Sequence, residues 1–196
     1  MSEKIKYPTF NNCMDLIGDV DLHYSLNREK KRLLYNAFVE HFPRHGTVVE
    51  LGVCHGSTGI MLSMLSKSAN GTYLGIDNWS LESSRDIIAK HFVNAGQWGT
   101  DVQLSEGSTH DPKFLMPYDF ILIDAGHDEN NVSADAAAWI PWARKGAIVA
   151  WDDYPSAIVK DDAHWAVRMN ADRYCGDPTM WELVGYWEGL LIKRKM

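Results

Sequence analysis

Five short apolar runs rich in β-branched residues recur through this chain, and most are followed by a stretch with helical spacing. That alternation constrains the fold more than any other feature. Strands separated by helices pair in parallel, and the helices cover both faces of the sheet. Thr47–Val53 (TVVELGV), Thr72–Asp77 (TYLGID), Asp101–Glu106 (DVQLSE), Asp119–Asp124 (DFILID) and Ala147–Asp152 (AIVAWD) read as the strands. Ser57–Ser68, Leu81–Ala95, Asn131–Ala143 and Asp161–Ala171 read as helices. Near the end, Glu182–Trp187 and Leu190–Arg194 flank Glu188-Gly189, a length suited to a tight hairpin. The expected fold is α/β: a doubly wound, mostly parallel seven-stranded sheet with a C-terminal antiparallel hairpin.

Upstream of the first strand, Asn27–Phe42 has Leu33, Leu34, Ala37, Phe38, His41 and Phe42 on one stripe. Asn27 suits an N-cap and Pro43 stops the helix. Lys30-Lys31-Arg32 reads as a solvated face of it. Residues 1–26 show no period and read as a lid, an arm to a second subunit, or irregular chain. The expected division is an N-terminal segment, 1–44, and one domain, 45–196, within the ordinary size of a single domain.

The 19 basic and 26 acidic residues give a formal charge of −7, which argues against broad binding to nucleic acid or anionic lipid. The longest apolar runs, such as Phe120–Ile123, are too short to span a bilayer. Cys13, Cys54 and Cys175 form no metal or redox motif, so a reducing cytoplasm is expected. The expected partner is a small molecule, with a homo-oligomer left open by the sheet edge and the N-terminal helix.

Ligands of open parallel sheets bind beyond the carboxyl ends of the strands. Every strand here delivers an acid there: Glu50, Asp77, Glu106, Asp124 and the pair Asp152-Asp153. The first turn runs Glu50-Leu51-Gly52-Val53-Cys54-His55-Gly56-Ser57. Gly52 and Gly56 let a ligand approach the backbone, and the next helix points its N-terminus at it. The spacing is acidic-x-Gly-x-x-x-Gly rather than the dinucleotide G-x-G-x-x-G, and an acid at Glu50 suits a cationic ligand group. Asp77 lies 25 residues after Gly52, where a carboxylate can accept both ribose hydroxyls.

With these residues the chain resembles the class I S-adenosylmethionine-dependent methyltransferases, over roughly residues 45–194, including the final hairpin. The resemblance implies a Rossmann-like sheet and S-adenosylmethionine as cofactor. It places Glu50 on the methionine moiety and Asp77 on the ribose. Gly52, Gly56, Ser57, Gly107 and Asp124 fall on the cofactor-facing turns. Trp79 would stack on or cover the adenine, and Ser108 and Thr109 would hydrogen-bond it. A plain glycine turn between strand and helix is the alternative reading of the first loop.

Asp124, Asp152 and Asp153 end two strands expected to be neighbours, and three convergent carboxylates suit an oxygen-loving cation such as Mg²⁺. This resembles the divalent-metal-dependent O-methyltransferases of the catechol and antibiotic-sugar types. In those enzymes the metal holds the acceptor's oxygens and lowers the pKa of the attacking hydroxyl. The alternative is that Asp152-Asp153 caps a turn before Tyr154-Pro155. His127, three residues after Asp124, stands where the catechol enzymes carry a lysine base, and the antibiotic-sugar enzymes' Asp position is Gly126 here. His127 is thus the candidate base, or else a loop-orienting residue. His55 is expected to line the cofactor loop, and His110 has no assigned role.

The chain lacks the Asp/Asn-Pro-Pro-Tyr/Phe run of base N-methyltransferases after the fourth strand. It also lacks the lysine that ribose 2′-O-methyltransferases place near the end of the fifth. O-methylation of a small hydroxylated acceptor is the expected function. The competing class is a catalytically silent cofactor-fold module acting as a structural or binding partner.

Overall fold

The computed structural model describes residues 4–20, 26–80, 85–155 and 164–196. Seven strands form one sheet: β1 (Thr47–Leu51), β2 (Thr72–Asp77), β3 (Val102–Glu106), β4 (Tyr118–Ile123), β5 (Ala143–Tyr154), β6 (Trp181–Trp187) and β7 (Gly189–Lys195). Their order is β3-β2-β1-β4-β5-β7-β6, with β7 antiparallel to both β5 and β6 and the pairs β1–β2, β1–β4, β2–β3 and β4–β5 parallel. The hairpin therefore inserts one antiparallel strand, as expected. The order reverses between β1 and β4, which opens a crevice at their carboxyl ends.

Strand side chains alternate between faces. Val48, Phe120, Leu122, Ile148 and Ala150 meet α1 (Phe10–Ile17), α2 (Arg28–His41), α3 (Ser57–Ser68) and α4 (Arg85–Asn94) in one core. Val49, Leu51, Ile121, Ile123, Val149 and Trp151 meet α5 (Glu129–Trp139) and α6 (Trp165–Cys175) in the other. By the same alternation Glu50 and Asp152 point toward the face that α2 and α3 cover, which decides their partners.

Several boundaries differ from the sequence reading. The segment before α2 contains a helix, α1, although residues 1–26 show no period. Thr9 caps it in a reciprocal capping box with Asn12, and Phe10, Cys13 and Ile17 are its buried face. Eight residues are too few for a period to declare itself. The α5 helix starts at Glu129, because Asp128 accepts from the Asn130 and Asn131 N–H groups. It stops at Trp139, since Ile140–Trp142 forms a 3₁₀ turn around Pro141, and β5 begins at Ala143 rather than Ala147. Trp142 and Trp187 are exposed, whereas Trp139, Trp151 and Trp181 are core. The start of the expected Leu81–Ala95 helix (81–84) and of Asp161–Ala171 (161–163) lies outside the described residues; α4 and α6 are the described parts.

Candidate active site

A cavity of about 720 Å³ lies beyond the carboxyl ends of the parallel strands. Gly52 and Cys54 form its floor after β1, Asp77 and Asn78 line it after β2, and Gly107, Ser108 and Thr109 after β3. Asp124–His127 lines it after β4, with Asp152 and Asp153 at the end of β5. The remaining wall is the start of α2 and the two residues before it, through Leu26, Asn27 and Lys30. Glu50, Gly56, Ser57 and Trp79 are not in this lining.

Gly52 explains how close the two central loops run. Its φ is +85°, and a Cβ there would overlap the Asp124 carbonyl. The Asp124 N–H donates to Leu51 O at 2.9 Å, so the β1 and β4 turns are fastened together. Asp77 is fixed by two backbone donors, Cys54 N–H at 2.8 Å on Oδ2 and Trp79 N–H at 2.7 Å on Oδ1. The Trp79 ring packs against the α1–α4 core instead of lining the cavity.

Glu50 also departs from its expected place. It is buried on the α3 side of β1, and the Tyr73 hydroxyl donates to its Oε2. Burial pushes its pKa up to about 8, with the Tyr73 hydrogen bond opposing and Asp124 and Asp77 adding to the rise. A folded-state value above the ordinary 4.5 means the folded chain keeps a proton that the unfolded chain has released. The associated stability is complete below pH 4.5 and is lost as pH rises toward 8. Glu50→Gln keeps an acceptor for Tyr73 and removes that dependence. Its melting temperature should exceed the parent's at pH 8, with the gap closing toward pH 4. Each unit of pKa difference corresponds to about 1.4 kcal/mol.

The loop after β3 is pinned to α5. Thr109 Oγ1 donates to Asp135 Oδ1 at 2.5 Å, and Trp139 Nε1 donates to Thr109 O at 2.7 Å. His110, unassigned from sequence, lies between the Ser108 hydroxyl (3.1 Å) and the same Asp135 oxygen (3.3 Å). His55 stays out of the cavity lining, and its carbonyl lies 3.2 Å from His91 Nδ1.

At the other end of the cavity the acids converge. Asp124, Asp152 and Asp153 each offer an oxygen, all within 4.8 Å of one another. Asp153 gets there because β5 is irregular: its pairing with β7 shifts between Asp152 and Tyr154, and Asp153 takes a φ of +53°. A bulge re-aims a side chain that strict alternation would send to the opposite face. His127 Nε2 is 3.1 Å from Asp153 Oδ2 and 3.9 Å from Asp124 Oδ1, and His164 Nε2 is 3.5 Å from Asp153 Oδ2. Burial and the neighbouring Asp152 and Asp153 charges push Asp124 up to about 7, against the pull of His127. Interaction with the Asp124 carboxylate raises the His127 pKa in turn; burial opposes this, and Asp153 and Asp152 reinforce it.

Lys30 corrects the sequence reading. Its Nζ lies 2.7 Å from Asp152 Oδ1 and 3.6 Å from Asp153 Oδ1, and its side chain is only 12 % exposed. Lys31 is fully buried. Of the run read as a solvated face, only Arg32 is surface-like, with its guanidinium over the Phe10 ring. A signal was present: Lys30 and Lys31 precede Leu34 by four and three residues, on the buried side of the helix.

A family model described as a methyltransferase domain matches residues 49–154. No curated protein matches the sequence. Solved structures share the fold at low identity. Cofactor-bound Rv0187 from MTB is 18 % identical with a TM-score of 0.67, over 97 % of this chain and 90 % of that one. An O-methyltransferase from Bacillus cereus in complex with SAH is 16 % identical with a TM-score of 0.65, over 96 % and 92 %. The O-methyltransferase TomG from Streptomyces achromogenes, involved in tomaymycin synthesis and in complex with SAM, is 17 % identical with a TM-score of 0.62, over 98 % and 92 %. Among the described residues, no helix is long and apolar enough to cross a membrane.

Proposed function

The chain belongs to the methyltransferase-domain family, and from that premise we propose that it is an O-methyltransferase that uses S-adenosylmethionine. We propose further that a divalent cation, Mg²⁺ by its oxygen ligands, assists it, and that the acceptor is a small hydroxylated molecule. The observation that carries this reading is one cavity with a backbone-anchored carboxylate, Asp77, on one side and three convergent carboxylates with a histidine on the other. The names of the Bacillus cereus and Streptomyces achromogenes structures describe those two proteins as O-methyltransferases, which supports oxygen as the target atom here.

Asp77 holds the ribose hydroxyls in this scheme. Its two backbone donors fix the carboxylate, which lines the cavity. Gly52 lets the methionine portion lie against the backbone, and Ser108 and Thr109 border the adenine. The transfer is an in-line displacement, so the protein's main contribution is alignment. Bound there, the cofactor's sulfonium would supply the methyl group, its C–S bond breaking as the O–C bond forms. The proton leaves the acceptor hydroxyl for the His127 imidazole, the base in this proposal.

Asp124, Asp152 and Asp153 would hold the cation, and the residues present fit one. An ammonium, that of Lys30, already sits against two of the three carboxylates, so the cluster accepts positive charge. When bound, the cation lowers the acceptor's pKa and draws its oxygens toward one position. In this scheme Leu26 and Asn27, which line the cavity, would give the N-terminal segment, 1–44, a part in enclosing the substrate.

Calorimetry with S-adenosylmethionine tests the reading. The parent should bind it. Asp77→Ala should lose affinity by about 1.5–3 kcal/mol, the worth of a hydrogen bond to a charged acceptor. Unchanged affinity in Asp77→Ala would remove the ribose assignment, and tighter binding of NADH than of S-adenosylmethionine would remove the proposed function.

A further inference from the structure

We propose that Lys30 is the tethered counter-ion of the acidic cluster, and that a divalent cation binds there by displacing it. This rests on the metal reading above and adds what that reading lacks: the occupant of the cluster when the cation is absent.

Three observations carry it. The first is the contact itself, an ammonium 2.7 Å from Asp152 Oδ1 and 3.6 Å from Asp153 Oδ1, between side chains only 12 % and 8 % exposed for the closer pair. The second is that the backbone bearing Lys30 is fixed. Its N–H donates to the Asn27 cap at 2.9 Å, and Leu34 and Phe38 anchor α2 in the core. The third is that the hairpin leaves room for the side chain. A Cβ on Gly189, which pairs with Tyr154 across β5 and β7, would lie 3.3 Å from Lys30 Nζ and 3.5 Å from its Cε.

Three carboxylates this close repel one another without a cation. Lys30 supplies that charge from within the chain. Mg²⁺ approaches carboxylate oxygens to about 2.0–2.1 Å. A dication at that distance from Asp152 would stand within a few ångströms of the ammonium, and the two would repel strongly at low effective dielectric. The backbone cannot retreat, so the flexible lysine stem must swing away, and the cavity that Lys30 lines gives it space. The metal affinity of the parent is therefore lower than the three carboxylates alone would provide.

The test is Mn²⁺ binding to the full chain, measured by electron paramagnetic resonance on the parent, Lys30→Met, Lys30→Gln and Lys30→Arg. Lys30→Met and Lys30→Gln should bind Mn²⁺ on the order of tenfold more tightly or better, and Lys30→Arg should not. Unchanged or weaker binding in Lys30→Met and Lys30→Gln, with the parent still binding, overturns the Lys30 assignment and leaves the metal reading standing. Binding by none of the four proteins overturns both. A measurement on the parent covers the case in which a variant fails to fold. Acetylation of Lys30 by acetic anhydride, read by mass spectrometry, should rise when Mn²⁺ saturates the site, and unchanged labelling would overturn the displacement.

Discussion

Exhaustive removal of divalent metal should abolish methyl transfer, and Mg²⁺ or Mn²⁺ should restore it. The cluster explains the size of the effect. Burial, with the neighbouring Asp152 and Asp153 charges, pushes the Asp124 pKa up to about 7, well above an ordinary carboxyl group. Lys30 neutralises one charge of the cluster, but its partner oxygens belong to Asp152 and Asp153, on the β5 side. An acceptor hydroxyl deprived of the cation would have to lose its proton near its solution pKa. Several kcal/mol of that difference corresponds to roughly 10²-fold or more in rate. Rates should be measured on an identified acceptor after chelation and gel filtration, with S-adenosylmethionine affinity followed in parallel. Full activity in the chelated protein would show that the carboxylates serve another end.

His127→Ala should lose about 10²–10⁴-fold in rate, the usual worth of a positioned base, while cofactor affinity stays intact. The imidazole stands between Asp153 and Asp124 at the acid end of the cavity, apart from the residues assigned to the ribose. Only the neutral ring can accept a proton, so the parent's rate falls as pH drops through the His127 pKa. At saturating Mg²⁺, which keeps the three carboxylates ionised, that acidic limb should be missing in the alanine variant. The pH profile separates a base from a positioning role, since a side chain that only orients the loop would lower the rate at every pH alike. Near-normal turnover would reduce His127 to a neighbour of the carboxylates and leave activation of the hydroxyl to the cation and solvent.

Much of the scaffold was legible because its signals are local. Thr72–Asp77 and Ser57–Ser68 read from the sequence with the bounds they have in the structure, the first between turn residues and the second after a glycine. Asn27 and Pro43 bracketed α2 for the same reason. What the sequence concealed depends on tertiary placement. A strand-end acid at Glu50 looks like a ligand contact until the sheet's alternation turns it under α3 toward Tyr73. Trp79, next to an expected ribose acid, is partly buried and packs against the core. Lys30 belongs to a basic triplet that composition reads as solvated, and only the packing of α2 over β5 delivers it to Asp152. Asp153 needs a β-bulge and a left-handed backbone to join the cluster, and neither is encoded in a run as short as Trp151-Asp152-Asp153-Tyr154.

One measurement bears on cofactor, metal and geometry together: a crystal structure of the chain soaked with S-adenosylhomocysteine and Mn²⁺, with anomalous data collected for the manganese. The account predicts the ribose hydroxyls on Asp77, the homocysteine over Gly52, and a single anomalous peak among Asp124, Asp152 and Asp153. The sulfur should face that peak across the space that His127 borders. A nucleoside bound elsewhere, or manganese absent from the three carboxylates at saturating concentration, would contradict it.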